Sequence, residues 1–162
     1  MPATLHLLSG KIASGKSTLA AELSTAPRTV LISEDAWLST LFGDQMTSIP
    51  DYLRCAAKLR EVMAPHVVTL LRAGCSVVLD FPANTVETRR WMRAVIDAAG
   101  VDHVLHLLDM PDALCLERMK ARNTAGDHPF TVTEYQFHQI TRAYEPPSPE
   151  EGFTILRHEV PG

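Results

Sequence analysis

Nine residues constrain this chain more than any others: Gly10-Lys11-Ile12-Ala13-Ser14-Gly15-Lys16-Ser17-Thr18. They stand between an apolar run, Leu5-His6-Leu7-Leu8, and a helix-favouring run, Leu19-Ala20-Ala21-Glu22-Leu23, so a Gly-x4-Gly-Lys-Ser pattern falls where a strand turns into a helix. Such a turn must let successive backbone N–H groups converge, which Gly10 and Gly15 permit. The helix that follows adds the positive end of its dipole. Lys16 adds a point charge, and Ser17 places a hydroxyl where a phosphate-bound Mg2+ takes it as a ligand. The stretch predicts a phosphate-binding loop, with Gly10, Ala13, Ser14, Gly15, Lys16, Ser17 and Thr18 around the phosphates.

At 162 residues and 46% hydrophobic, the chain is expected to form one domain with a sizeable core. Met1-Pro2-Ala3-Thr4 has no basic or apolar leader pattern, and no apolar run approaches 18 residues, so a soluble cytoplasmic protein without a membrane partner is expected. Cys55, Cys75 and Cys115 lie far apart in apolar neighbourhoods, which fits reduced core thiols. Fifteen basic residues against nineteen acidic ones give a net charge of −4, so no global field draws the chain to nucleic acid. A small or locally held substrate is favoured. Of four lysines, two lie in the loop, which leaves most other cationic work to arginine.

Strand patterns at Thr4–Leu8, Thr29–Ile32, Ser76–Asp80, Val101–Leu108 and Phe153–Leu156 alternate with helical patterns. The helices are expected at Lys16–Leu23, Ala36–Phe42, Asp51–Ala73 (bent or split at Pro65), Val86–Ala99, Ala113–Arg122 and Thr133–Tyr144. The segment 123–130 reads as a mobile connection, and Glu145–Gly152 as a break in regularity. This alternation predicts an α/β fold, a mainly parallel five-stranded sheet with helices on both faces.

In open α/β sheets ligands sit beyond the carboxyl ends of the strands, which sets Asp35 and Asp80 on the rim that carries the loop. If a nucleoside triphosphate lies there, transfer of its γ-phosphoryl group to an alcohol needs a carboxylate near the attacking hydroxyl. Asp35 is the candidate base and Glu34 its rival; Asp35 is equally a candidate helix N-cap. Asp80, ending an apolar strand, is a candidate ligand for Mg2+ or an orienter of the acceptor. Arg118 and Arg122 share a helix face before a Gly-containing loop, as arginines of a lid over about 118–132 would. His128 in that loop could touch nucleotide or acceptor. Trp37, Tyr52, Asn84 and Arg89 are candidate acceptor contacts, and Arg89-Arg90 at a helix start hints at an anionic partner.

Together, Gly10–Thr18, Ile32-Ser33-Glu34-Asp35, Leu79-Asp80 with Asn84 and Arg89-Arg90, and Pro111 followed by Arg118 and Arg122 resemble the 5′-polynucleotide kinase, zeta-toxin and chloramphenicol phosphotransferase group of P-loop kinases. The resemblance covers nearly the whole chain. It implies a P-loop NTPase-like three-layer sandwich with a lid, Mg-ATP as donor, Asp35 as base and lid arginines at Arg118 and Arg122. Polynucleotide kinases place an arginine three residues after the catalytic aspartate; here Leu38 stands there, which disfavours a nucleic-acid acceptor. Two alternatives stand beside it: a nucleotide-binding switch acting on a protein partner, with Phe130, Tyr135 and Phe137 as its apolar patch, and a nucleic-acid 5′-end kinase.

Overall fold

A computed structural model describes residues 2–126 and 132–159. In chain order the elements are β1 (Thr4–Ser9), α1 (Lys16–Leu23), β2 (Thr29–Ser33), α2 (Glu34–Phe42), α3 (Ile49–Arg72), β3 (Ser76–Pro82), α4 (Val86–Ala99), β4 (Asp102–Asp109), α5 (Asp112–Ala125), α6 (Glu134–Arg142) and β5 (Ile155–Glu159). The five strands form one sheet in the order β2-β3-β1-β4-β5, and every pairing is parallel. Parallel neighbours need crossovers, and the helices between strands provide them.

Side chains alternate between the two sheet faces, and the two faces are covered differently. Leu5 and Leu7 of β1, Ile32 of β2, Val77 and Leu79 of β3 and Leu105 of β4 join the main core with the apolar faces of α3 and α4. Leu8, Val78 and Leu108 face the other way and pack against Ala20, Leu19 and Leu23 of α1. Met110, Cys115, Met119 and Phe137 form a third cluster with Ile12 and Ala13, which seats α5 and α6 against the phosphate loop. All three cysteines are free thiols, Cys55 and Cys115 buried and Cys75 half-buried.

Several expected bounds are corrected, among them the last strand, expected at Phe153–Leu156 and observed at Ile155–Glu159. Pro65 does not split α3: the helix is continuous over 24 residues. A mid-helix proline costs about 3 kcal/mol. Burying Cys55, Ala56, Leu59, Met63, Val67 and Leu71 along one face outweighs that cost. Helix α5 runs on through Asn123, Thr124 and Ala125, which the sequence reading assigned to a mobile connection, and closes at Gly126 with φ +72°. Among the described residues no helix is long and apolar enough to cross a membrane.

Candidate active site

The phosphate loop leaves β1 at Ser9 and enters α1 at Lys16. Gly15 caps α1 with φ +102°, and Ala13 also lies in the left-handed region at φ +61°. For Gly10 the requirement is space: a Cβ would come within 2.4 Å of Ser14 Oγ and 3.2 Å of both Cβ and the carbonyl oxygen of Leu108.

Helices α2, α3, α4 and α6 each start with a hydroxyl cap, from Ser33, Ser48, Thr85 and Thr133. Helix α1 has neither a side-chain cap nor an acid in its first turn. Its leading N–H groups are thus left to an external anion, the arrangement that suits phosphate. Ser14 Oγ is buried in the same loop without a hydrogen-bond partner among the described residues. Lys16 Nζ donates to the carbonyl oxygens of Gly10 at 2.5 Å and Lys11 at 2.8 Å. Desolvation pushes the Lys16 pKa down to about 8, with Arg122 adding to the decrease and the carboxylates of Asp80 and Asp35 opposing it.

Ser17 Oγ donates to Asp80 Oδ2 at 3.2 Å. The register of β3 against β1 slips from Leu7↔Leu79 to Leu8↔Pro82, a bulge that carries Asp80 beside the loop. A hydroxyl and a carboxylate so close to the phosphate cradle fit the oxygen donor set that Mg2+ takes.

Asp35 sits in the first turn of α2, but it is not the cap. Ser33 Oγ accepts the Ala36 N–H at 3.3 Å, and the helix begins two residues earlier than the sequence suggested. The charge of Asp35 acts on Lys16, Arg122 and Glu34. Arg122 is half-buried, its Nε has no partner among the described residues, and burial lowers its pKa while Asp35 opposes the shift. Arg118, one turn earlier, is exposed.

The AAA domain family model matches residues 5–147. The chain belongs to the AAA domain family. No curated protein matches it. Among solved structures, this AAA domain is similar to a putative kinase from Chloroflexus aurantiacus J-10-fl, at 22% identity over 98% of this chain and 85% of that one, with a TM-score of 0.77. It is similar to the Mycobacterium tuberculosis APS kinase CysC in complex with AMPPNP and APS, at 22% identity over 98% and 90% of the two chains, with a TM-score of 0.67. A third likeness is Chaetomium thermophilum Kti12 in complex with ADP-AlF3, at 16% identity over 94% and 88%, with a TM-score of 0.69. These likenesses show a P-loop kinase-like fold.

The expected acceptor contacts are redistributed in this AAA domain. Arg89 is fully buried and is corrected from acceptor contact to core ion pair. It donates to Glu151 Oε1 at 2.6 Å and Oε2 at 3.3 Å, and to the carbonyl oxygens of Ala83 at 3.0 Å and Pro146 at 3.4 Å. The anionic partner its position hinted at is Glu151. Asn84 is half-buried with its side chain bound to the phosphate loop: Nδ2 donates to Gly10 O at 2.8 Å and Oδ1 accepts Gly10 N–H at 3.0 Å. Trp37 is 38% exposed and lies two residues after Asp35 on α2, hence on the opposite side of the helix from it.

Tyr52, named as a wall, donates its hydroxyl to Glu34. Glu34 is only 2% exposed, and burial raises its pKa to about 7 against the opposing Tyr52 hydrogen bond. Arg60, whose Nε is buried without a partner among the described residues, acts on both groups from two turns further along α3. Nothing in its immediate sequence marks Arg60. Its spacing of eight residues from Tyr52 on one helix face was the available signal.

His128 and Phe130 lie outside the described residues. Flanking them, Asn123 Nδ2 donates to Val132 O at 2.6 Å and Asn123 Oδ1 accepts Val132 N–H at 3.3 Å, so the chain on either side of the intervening segment is tied together. Phe137 is buried at 1% exposure, which removes it from the apolar surface expected of a switch; Tyr135 is 69% exposed.

Proposed function

We propose that this chain is an ATP-dependent kinase that transfers the γ-phosphoryl group to a hydroxyl of a small-molecule acceptor. The observation that carries the reading is that Ser33 does the capping of α2, while the charge of Asp35 acts on both Lys16 and Arg122. A carboxylate within electrostatic reach of two cations beside a phosphate loop, on a helix capped by Ser33, suits a general base. The nucleotides bound by the M. tuberculosis and C. thermophilum neighbours support ATP as donor. Leu38, fully buried in the core, supports a small acceptor over a polynucleotide, as does the net charge of −4.

The loop amides and Lys16 hold the phosphates. Ser17 and Asp80 would hold Mg2+, which neutralises charge between phosphate oxygens. The acceptor hydroxyl oxygen bonds to the γ-phosphorus, the bond from that phosphorus to the ADP oxygen breaks, and the hydroxyl proton passes to Asp35. Arg122, with Arg118 on the same flank of α5, offsets charge on the transferred group.

Turnover tests this reading. ADP release is followed with panels of nucleosides, nucleotide sugars, antibiotics and oligonucleotides, and the active acceptor is then assayed with Asp35→Asn. The expected result is stimulation by a small acceptor, with a loss of at least about 10^2-fold in Asp35→Asn at retained ATP affinity. Near-normal turnover in the variant rejects Asp35 as base, and stimulation by no acceptor rejects the kinase reading.

A further inference from the structure

We propose that Asn84 is a positioning residue for nucleotide binding, and that it acts through Lys16. The proposal rests on the reading of the phosphate loop as the nucleotide site. Asn84 follows the end of β3, and Ala83 N–H fixes its approach by donating to Leu8 O at 2.9 Å. Its amide spans both polar groups of Gly10, giving a donor to the carbonyl at 2.8 Å and an acceptor to the N–H at 3.0 Å. Those two groups belong to the two peptide planes on either side of Gly10, so one side chain fixes both. Ser9 Oγ, which also donates to Asn84 Oδ1 at 3.4 Å, defines the amide orientation: oxygen toward two donors, nitrogen toward a carbonyl. The backbone of Asn84 is pinned in turn, its carbonyl accepting Glu145 N–H at 2.8 Å, while Tyr144 Oη lies 3.2 Å from Ser9 Oγ.

Gly10 O therefore has two donors, Asn84 Nδ2 and Lys16 Nζ. They are not equivalent. Lys16 must turn its ammonium from that carbonyl toward a phosphate, and a buried carbonyl stripped of its only donor costs about 1–3 kcal/mol. With Asn84 present the carbonyl stays paired when Lys16 leaves. Without Asn84, every nucleotide that engages Lys16 has to orphan Gly10 O. The clamp thus releases Lys16 for the anion, and it also keeps the Gly10 carbonyl dipole from swinging toward the phosphates.

The test is a double-mutant cycle on ATP affinity, measured by calorimetry on the full chain for wild type, Asn84→Ala, Lys16→Ala and the double variant, with unfolding curves confirming that each is folded. The expected result is a loss of about 10-fold for Asn84→Ala when Lys16 is present, and of less than about 3-fold when it is absent. Equal losses in the two backgrounds overturn the proposal, because a merely structural Asn84 would not distinguish them. Unchanged ATP affinity in Lys16→Ala rejects the nucleotide-site reading itself and is seen separately. Should Lys16→Ala bind too weakly to measure, amide hydrogen exchange decides. Asn84→Ala is expected to speed exchange at Gly10 by at least about 10-fold while leaving the later residues of α1 unchanged, and equal exchange at Gly10 overturns the clamp.

Discussion

Lys16 lies against two carbonyl oxygens of its own loop, and burial lowers its pKa to about 8. A bound phosphate favours the charged ammonium, so the pKa of Lys16 rises in the complex and binding takes up a proton wherever the free group is neutral. The sign follows by linkage. Affinity is fully present below the free-state value of about 8 and declines as pH rises through it, by up to about tenfold per pH unit, until the bound-state value is reached. Dissociation constants for ATP between pH 7 and 9.5 are expected to show this decline in wild type and to be nearly flat in Lys16→Ala. A flat wild-type profile would mean that the ammonium is not the group that meets the phosphates. The turn at Gly10 and Gly15 was legible residue by residue because each glycine does local work between β1 and α1, whereas Asp35, read from the end of β2, lies in the first turn of α2. Glu34 was legible only as a rival to Asp35, since nothing in its neighbours announces that α3 will bury it beneath the Tyr52 hydroxyl.

At the level of elements, periodicity located the six helices and the first four strands among the described residues, while the last strand, expected at Phe153–Leu156, runs over Ile155–Glu159. Helix α2 starts early because Ser33 takes the cap, and α3 survives Pro65 because its apolar face is anchored along its length. The segment from Tyr144 to Gly152 gave no such signal. It is a strap whose groups bind residues far away in the sequence: Tyr144 to Ser9, Glu145 to Asn84 and Val86, Glu151 to Arg89. Contacts at separations of 59 to 135 residues leave no periodic trace, which is why Arg89 read as an acceptor contact. Glu151 also accepts Ser148 N–H at 2.7 Å, so it closes the short turn Pro149–Glu151 and pairs the fully buried guanidinium at once. Removing it strands a buried charge. Glu151→Ala is expected to destabilise the chain by about 3–5 kcal/mol in urea unfolding. A cost below about 1 kcal/mol would show that Arg89 finds solvent or another partner.

Across the whole molecule, the parallel sheet sorts chemistry to one rim and leaves its opposite face to do something else. On the α1 side, three histidines from β1, β4 and β5 form a hydrogen-bonded row: His6 Nδ1 to His106 Nε2 at 3.0 Å, and His106 Nδ1 to His158 Nε2 at 2.9 Å. The central ring is 3% exposed and has a histidine at each nitrogen, so desolvation first, then its two neighbours, push its pKa down to about 4, while burial also lowers that of His6. A folded-state value below the unfolded value of about 6.5 means that the unfolded chain binds more protons. Stability from His106 is therefore present above about 6.5 and lost as pH falls toward about 4, by on the order of 3 kcal/mol in all. The row crosses the centre of the sheet to the edge strand β5, and that strand's Ile155 packs on the main core. The loss is thus global and should appear as a falling urea midpoint without a separate early transition. Carboxylates titrate in the same range, so the comparison is with His106→Gln, which keeps a polar side chain between the outer rings but holds no proton of its own. The gap between the two proteins should change between pH 7 and pH 4.5 in favour of the variant, and a gap that stays constant would place the acid sensitivity elsewhere in the chain.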